Sequence, residues 1–153
     1  MMHPLKPIAV LLFASACGEA EPSMPENATV LSHEQASHLA NPCSRQGIRA
    51  YESIWTPRAS DILDFENSLS DWLAQGKFDT RTVPQYIRQY GGFIVSGRQK
   101  IYGNFLPKSD LASLPNWQTE AVIVCDGGTS FWGASFDRSS SKIENVEFNG
   151  GAP

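Results

Sequence analysis

The chain has 153 residues, of which 41% are hydrophobic, which suits one globular domain rather than two domains or a disordered polymer. Twelve basic residues against 16 acidic ones give a net charge of −4. This balance argues against nucleic acid as a partner, because an acidic chain gains nothing from releasing the counterions of a phosphate backbone.

Residues 1–16 have the pattern of a signal peptide. Lys6 precedes the apolar run "IAVLLFASA", which is far shorter than the roughly 20 residues needed to span a bilayer. Cys17 directly follows small residues, in "FASAC", and this pattern resembles the lipobox of bacterial lipoproteins. The resemblance implies that Cys17 is lipidated and becomes the mature N-terminus. The tripeptide ASA at 14–16 also satisfies the rule for ordinary secretory cleavage, so that processing stays open as an alternative.

Lipidation would place the protein in the bacterial cell envelope, facing the periplasm or the cell exterior. Because no aspartate follows Cys17, the same resemblance favours the outer membrane of a Gram-negative cell. Cleavage would remove Lys6 as the only charged residue, leaving 11 basic residues against 16 acidic ones and a net charge of −5. The membrane would therefore be reached through acyl chains rather than charge. Residues 17–30, rich in Glu and Pro, are predicted to form a flexible tether.

Two cysteines, Cys43 and Cys125, would remain after lipidation of Cys17. In an exported protein an even pair predicts a disulfide. The bond would close a loop of about eighty residues and stabilise the fold by roughly 4–5 kcal/mol through loop entropy. The alternative is two free cysteines, with Cys125 filling a core position.

The first elements lie between residues 32 and 55. Ser32, three residues before a glutamine, predicts a helix N-cap, and the Asn-Pro pair at 41–42 predicts the end of that helix. His33 and His38 are five residues apart and do not share a helix face, so we expect solvated histidines rather than metal ligands. Residues 47–55 fit both helical and strand periodicity, and we favour a helix.

A second helix is predicted between Thr56 and Gly76. Thr56 can cap it with Pro57 at the first helical position, and Gly76 supplies the stop. The apolar residues at helical spacing are Ile62, Phe65, Leu69, Trp72 and Leu73. This helix should lie across a sheet and bury its tryptophan.

The chain from residue 84 onward has strand patterns. A turn at residues 97–98 predicts a hairpin with Ile94 opposite Ile101 and Gly92 opposite Gly103. The more apolar face of this hairpin, which includes Tyr90 and Phe105, should look toward the long helix. The paired glycines indicate either a ligand pocket or a bend, and we favour the bend.

A second hairpin is predicted around Gly127-Gly128, with Cys125 opposite Ser130. Residues 143–150 then predict an edge strand with Val146 and Phe148 inward.

Together these elements predict an α+β fold in which one long helix packs on an antiparallel sheet of about five strands. The domain would span residues 31–149, followed by a disordered tail at 150–153. The hairpin meander is similar in layout to cystatin-like folds. The motifs "CDGG", "FWG" and "FNG" in the C-terminal half resemble those of small exported bacterial proteins of unknown function, a resemblance that implies no residue roles.

The sequence contains no phosphate loop, dinucleotide fingerprint or zinc-protease motif, so we expect neither a cofactor nor a metal. A nucleophilic Cys125 would need a base, but the histidines left after cleavage, His33 and His38, lie near the tether. Asp126 beside the cysteine would raise the pKa of the thiol rather than lower it.

We therefore predict a non-catalytic binding or inhibitory module for an envelope protein partner. The candidate surface is Arg88, Phe93, Tyr102 and Trp117, because aromatic residues and arginine are typical anchors of interfaces. For each of these residues taken singly, we favour ordinary packing or an ordinary surface position over a role in binding. The alternative functions are a small periplasmic enzyme that uses Asp126 or a carboxylate on the sheet, and a structural component of an envelope assembly.

Overall fold

A computed structural model describes residues 20–76 and 82–150. The predicted signal peptide, Cys17 and the last three residues of the predicted tail lie outside this part. The fold is α+β, with a mixed six-stranded sheet and helices on both of its faces. The helices and strands are β1 (Ala28–Val30), α1 (His33–Leu39), β2 (Ser53–Trp55), α2 (Ala59–Gln75), β3 (Tyr86–Val95), β4 (Arg98–Pro107), β5 (Trp132–Asp137) and β6 (Lys142–Phe148).

The strand order is β1-β3-β4-β5-β6, and β2 also pairs with β3. Strands β3 to β6 form an antiparallel meander, whereas β1 runs parallel to β3. The prediction of a wholly antiparallel sheet is therefore wrong. Strand β3 has ten residues, so its outer edge accommodates β1 and β2, of three residues each, one after the other. Both short strands were missed: β1 lies in the predicted tether, and β2 lies where we favoured a helix.

Helix α2 begins at Ala59, two residues later than predicted. Its N-cap is Arg58, whose backbone N–H donates to the Asp61 carboxylate at 2.9 Å. The helix ends before Gly76, as predicted. The apolar stripe packs on the sheet, but Trp72 is only half-buried, contrary to expectation.

The turn between β3 and β4 consists of Ser96 and Gly97, both with positive φ, at 50° and 71°. The predicted turn is thus one residue late, and Ile94 pairs with Gln99 rather than Ile101. Because the register error is two residues, each side chain stays on its predicted face. Tyr90 accordingly packs against α2, as predicted.

Gly92 does not face another glycine. It pairs with Ile101 on β4 and with Trp55 on β2. A Cβ at Gly92 would lie 2.5 Å from the Trp55 carbonyl oxygen. The glycine thus allows the close approach of β2. Because the predicted pair of facing glycines does not exist, neither the pocket nor the bend that we derived from it has a basis.

The second predicted hairpin is wrong. Residues 121–124 are not a strand, and Gly128 begins a short 3-10 turn that ends at Ser130. Strand β5 pairs with β4 on one side and β6 on the other, so neither of its edges is free for residues 121–124. The prediction for β6 is confirmed, since this edge strand turns Val146 and Phe148 into the core.

The two faces of the sheet are covered differently. On the first face, α2 closes an aromatic core in which the Phe105 and Trp132 rings stack with centroids 3.9 Å apart. On the second face, α1 and the loops cover a smaller cluster around Leu39, Phe93 and Tyr102. The second face also carries buried polar side chains, among them Gln89 and Asn104.

Candidate functional site

The four residues predicted as a binding surface lie in the interior and do not form one surface. Their exposed fractions are 2% for Arg88, 0% for Phe93, 2% for Tyr102 and 8% for Trp117. Arg88 lies on the α2 side and donates to Glu66 at 2.9 Å. Phe93 and Tyr102 lie on the opposite face, and Trp117 belongs to a third cluster. Because helices and loops cover both faces, these positions on the strands do not reach solvent.

Four aligned residues, three of them polar, cross the second face of the sheet, and we call them the polar row. The strand registers align Gln89, Asn104, Gly133 and Glu147 on neighbouring strands. Arg45, from the loop after α1, lies over this row and donates from Nη2 to the Asn104 Oδ1 at 2.8 Å. A Cβ at position 133 would lie 3.0 Å from Arg45 Nη1 and would clash with the Tyr102 hydroxyl. Glycine at this position therefore provides the space that the guanidinium occupies.

The charge of Arg45 is buried with few partners. The side chain belongs to a residue that is 7% exposed, and within the described part of the chain Nε and Nη1 have no hydrogen-bond partner. The Tyr102 hydroxyl, on the same face, has none either. Burial lowers the pKa of the Arg45 guanidinium, an effect that Tyr102 and Glu147 oppose. Burial also raises the pKa of Tyr102 to about 12, although nearby Arg45 lowers it in part. Burying a cation with so little compensation is costly, by several kcal/mol in general.

Two loops lie over the polar row and are joined covalently. We call residues 40–51 loop A and residues 121–127 loop B, and the two together the clamped loops. Cys43 of loop A and Cys125 of loop B form a disulfide, with their Cα atoms 5.3 Å apart. The predicted pairing is the one that the structure shows. Both cysteines are exposed, so the alternative of Cys125 as a core residue does not fit. Ser44 adds a hydrogen bond from its hydroxyl to the Cys125 carbonyl.

Side-chain amides, rather than another strand, hold the backbone of loop B. Gln89 accepts from the Val122 N–H at 2.9 Å, and Asn104 donates to the Val122 carbonyl at 2.8 Å. Asn149, next to the end of β6, donates to the Val124 carbonyl at 2.6 Å. These bonds satisfy the same backbone groups that a hairpin would have paired. They explain how an apolar segment with strand-like alternation rests on the sheet as a loop.

The outer surface of the clamped loops carries an exposed aromatic and an exposed aliphatic side chain beside a groove. Tyr51 and Ile123, one in each loop, are each 36% exposed. The Tyr51 ring packs edge-on against Phe93 with centroids 5.2 Å apart, so the exposed aromatic is supported from below. Beside it lies a groove of about 460 Å³ lined by Ser37, Ala40, Asn41, Ile48, Arg49 and Tyr51. Aromatic and arginine side chains on a supported surface are typical anchors of interfaces.

Sequence reasoning missed Arg45, Arg49 and Tyr51. The signal that could have found them is their position in "CSRQGIRAY", directly after the cysteine predicted to form the disulfide. Loops positioned by a rigid scaffold often carry function, and a disulfide supplies such positioning. Asn104 and Gln89 offered a second signal of a polar site, since each is a polar residue within a predicted strand.

Both histidines of α1 are exposed. His33 contacts the Thr56 hydroxyl at 3.0 Å through Nε2. Across residues 20–76 and 82–150, no three side chains of His, Cys, Asp or Glu come together as a group that could hold a metal. No helix in these two ranges is long and apolar enough to cross a membrane.

Comparisons with known proteins found no family model, no curated protein and no solved structure that matches the chain. The resemblance of the C-terminal half to small exported bacterial proteins therefore stays a prediction.

Proposed function

We propose that the protein is a lipid-anchored module of the bacterial cell envelope that binds a protein partner through the clamped loops. The observation that carries the proposal is the exposed disulfide between Cys43 and Cys125. Exposed disulfides persist in oxidising compartments outside the cytosol. This agrees with the signal-peptide pattern of residues 1–16 and with the lipobox-like sequence that ends at Cys17.

The proposed anchor would hold the domain close to the membrane. Glu21 accepts a hydrogen bond from the Ser60 hydroxyl at 2.9 Å, near the start of α2. Glu21 is four positions after Cys17, a reach of about 14 Å when fully extended. The tether of this proposal is thus much shorter than residues 17–30, and α2 would begin near the lipid headgroups. The feature that this proposal shares with a cystatin-like layout is the packing of α2 on the meander of β3 to β6.

Processing at Cys17 is tested by mass spectrometry of the mature N-terminus. The expected mass is that of a chain that begins at Cys17 and carries acyl groups, and Cys17→Ser should block maturation. An unmodified Cys17, or normal processing of the Ser variant, would contradict the lipid anchor.

Partner binding is tested by placing a photo-crosslinking amino acid at Tyr51 or at Ile123, with Leu111 as the matched control. Leu111 is a comparably exposed apolar residue, at 40%, but lies outside the clamped loops in a 3-10 turn. We expect crosslinks to one stoichiometric envelope protein from positions 51 and 123 and not from position 111. Tyr51→Ala should weaken binding at least tenfold, as for an interface anchor. Equal crosslinking from all three positions, or none, would refute this surface.

The same experiment separates the alternative functions. A structural component of an envelope assembly would crosslink to several subunits over several faces, including position 111. A small enzyme that uses Asp126 would show no stoichiometric protein partner and would lose turnover on Asp126→Asn.

A further inference from the structure

We propose that the Cys43–Cys125 disulfide is a redox-sensitive clamp whose reduction by a dithiol releases residues 43–46 from the sheet, so that Arg45 leaves the interior. This inference concerns the clamped loops but does not rest on their having a partner. Its basis is the contrast between an accessible covalent link and the weak non-covalent hold on the residue beneath it.

The covalent link is open to attack. Cys43 and Cys125 are both exposed, and exposed disulfides are the ones that exchange readily with thiols. A thiolate of the dithiol attacks one sulfur, which breaks the Cys43–Cys125 bond and forms a mixed disulfide. The second thiol of the reagent then attacks the reagent's own sulfur in this mixed disulfide. This step frees the protein thiol and leaves the reagent with an intramolecular disulfide. The protein takes up two electrons and two protons, and the reagent is oxidised by the same amount.

The non-covalent hold on Arg45 is weak for a buried cation. Nη2 donates one hydrogen bond to the neutral amide of Asn104, while Nε and Nη1 have no hydrogen-bond partner in the described structure. The guanidinium also lies 6.0 Å from the centre of the Tyr102 ring and is attracted by Glu147, but burial outweighs both effects on its pKa. Water would hydrate all five N–H donors of a released guanidinium. Outward movement would also let water reach the Tyr102 hydroxyl, which is likewise buried without a partner. Hydration therefore favours the released position once the disulfide no longer opposes it.

The neighbouring contacts limit the movement to a short segment. The Gly47 N–H donates to Glu147 at 3.0 Å, and the buried Ile48 donates its N–H to the Ala40 carbonyl at 2.9 Å. These contacts hold the base of loop A. Loop B keeps its bonds to Gln89, Asn104 and Asn149. Pro42 is buried and stays with the base of loop A. The part free to open is thus residues 43–46, and water can replace the exposed bond that the Ser44 hydroxyl donates to the Cys125 carbonyl.

The test is amide hydrogen exchange on the purified mature chain in detergent, oxidised and after reduction with dithiothreitol. Losing a disulfide also destabilises the whole fold, so the measured quantity is exchange at residues 43–46 relative to the core of β3 and β4. We expect reduction to raise this ratio at least tenfold. In parallel, the Tyr102 hydroxyl should titrate nearer its ordinary pKa, read from tyrosinate absorbance.

Two matched variants assign the effect to the buried charge. Arg45→Met keeps a side chain of similar length without the charge, and reduction should then raise the exchange ratio less than threefold. Lys108→Met removes an exposed cation outside the clamped loops, in the 3-10 turn after β4, and should respond as the wild type does. The double variant Cys43→Ser, Cys125→Ser should reproduce the reduced state without reagent. If that variant does not fold, the reversible dithiothreitol titration gives the same measurement.

Two results would overturn the proposal. One is an unchanged exchange ratio in the reduced wild type, because the segment would then stay in place without its disulfide. The other is an equal response of the wild type and Arg45→Met, which would show that the disulfide acts only through loop entropy.

Discussion

Gln89 should contribute more to stability than its polar character suggests, because it supports loop B from within the sheet. Its side chain is fully buried and donates to the Trp117 carbonyl at 2.6 Å and the Glu120 carbonyl at 2.7 Å. It also accepts from the Val122 N–H at 2.9 Å and from the Asn104 amide at 3.2 Å. No apolar side chain of similar length can replace any of these bonds.

The change Gln89→Met allows the cost to be worked out from these contacts. The Trp117 carbonyl would be left buried without this donor, which costs about 1–3 kcal/mol. The bonds to Glu120 and Val122 are partly exposed, so water can replace Gln89 there and each costs about 0.5–1.5 kcal/mol. The sum is about 4 kcal/mol, a large share of the roughly 5–15 kcal/mol that stabilises a typical domain.

Urea unfolding measures this loss. With a slope of about 2 kcal/mol per molar, the midpoint should fall by about 2 M while the slope stays unchanged. The control is Gln99→Met on β4, where the side chain only accepts an exposed bond from Arg138 at 2.8 Å, and where we expect a loss of less than about 1 kcal/mol. A loss below 1 kcal/mol for Gln89→Met would refute the reasoning, because residues 117–122 would then not depend on the buried amide.

Three further changes test the core and the polar row. Leu69→Asp, at a fully buried position of α2, should abolish the cooperative thermal transition, whereas Ser70→Asp on the exposed side should change stability by less than about 0.5 kcal/mol. Burial raises the pKa of Tyr102 to about 12 in the folded chain, whereas the unfolded chain loses this proton near pH 10. The neutral Tyr102 hydroxyl therefore stabilises the fold below about pH 10, and this contribution is lost as the pH rises toward 12. Urea unfolding at pH 9 and pH 11.5 should therefore show a smaller loss for Tyr102→Phe than for the wild type, and an equal loss would contradict the burial of this hydroxyl. Gly133→Ala should lower the melting temperature, because the added methyl group meets Tyr102 and Arg45; an unchanged melting temperature would contradict their close approach.

The parts of the fold that could be predicted from the sequence depend on local pattern. The Ser32 cap of α1 and the apolar stripe of α2 were found because capping and helical periodicity involve residues within one or two turns of each other. The faces of β3 and β4 were correct for a similar reason. Alternation assigns each side chain to a face even when the register is wrong by two residues.

The register itself, the short strands and loop B depended on contacts distant in sequence. Strands β1 and β2 have three residues each, so they carry little periodicity and are held by the long edge of β3. Loop B has the alternation of a strand, but buried amides from β3 and β4 occupy its backbone groups. The candidate surface failed in the same way, because a sequence pattern does not show which sheet faces are covered.

The sequence alone thus established the chain's acidity, its pair of cysteines in the predicted domain and the local periodicity of its main elements. These are properties of composition and of neighbouring residues. Tertiary structure alone brought Arg45 over Asn104 and Gly133 and placed Tyr51 on an exposed surface. The reason is physical: burial and hydrogen-bond partners depend on which segments meet in space, and residues 45, 104 and 133 meet only when the sheet is assembled and the Cys43–Cys125 bond fixes the loops above it.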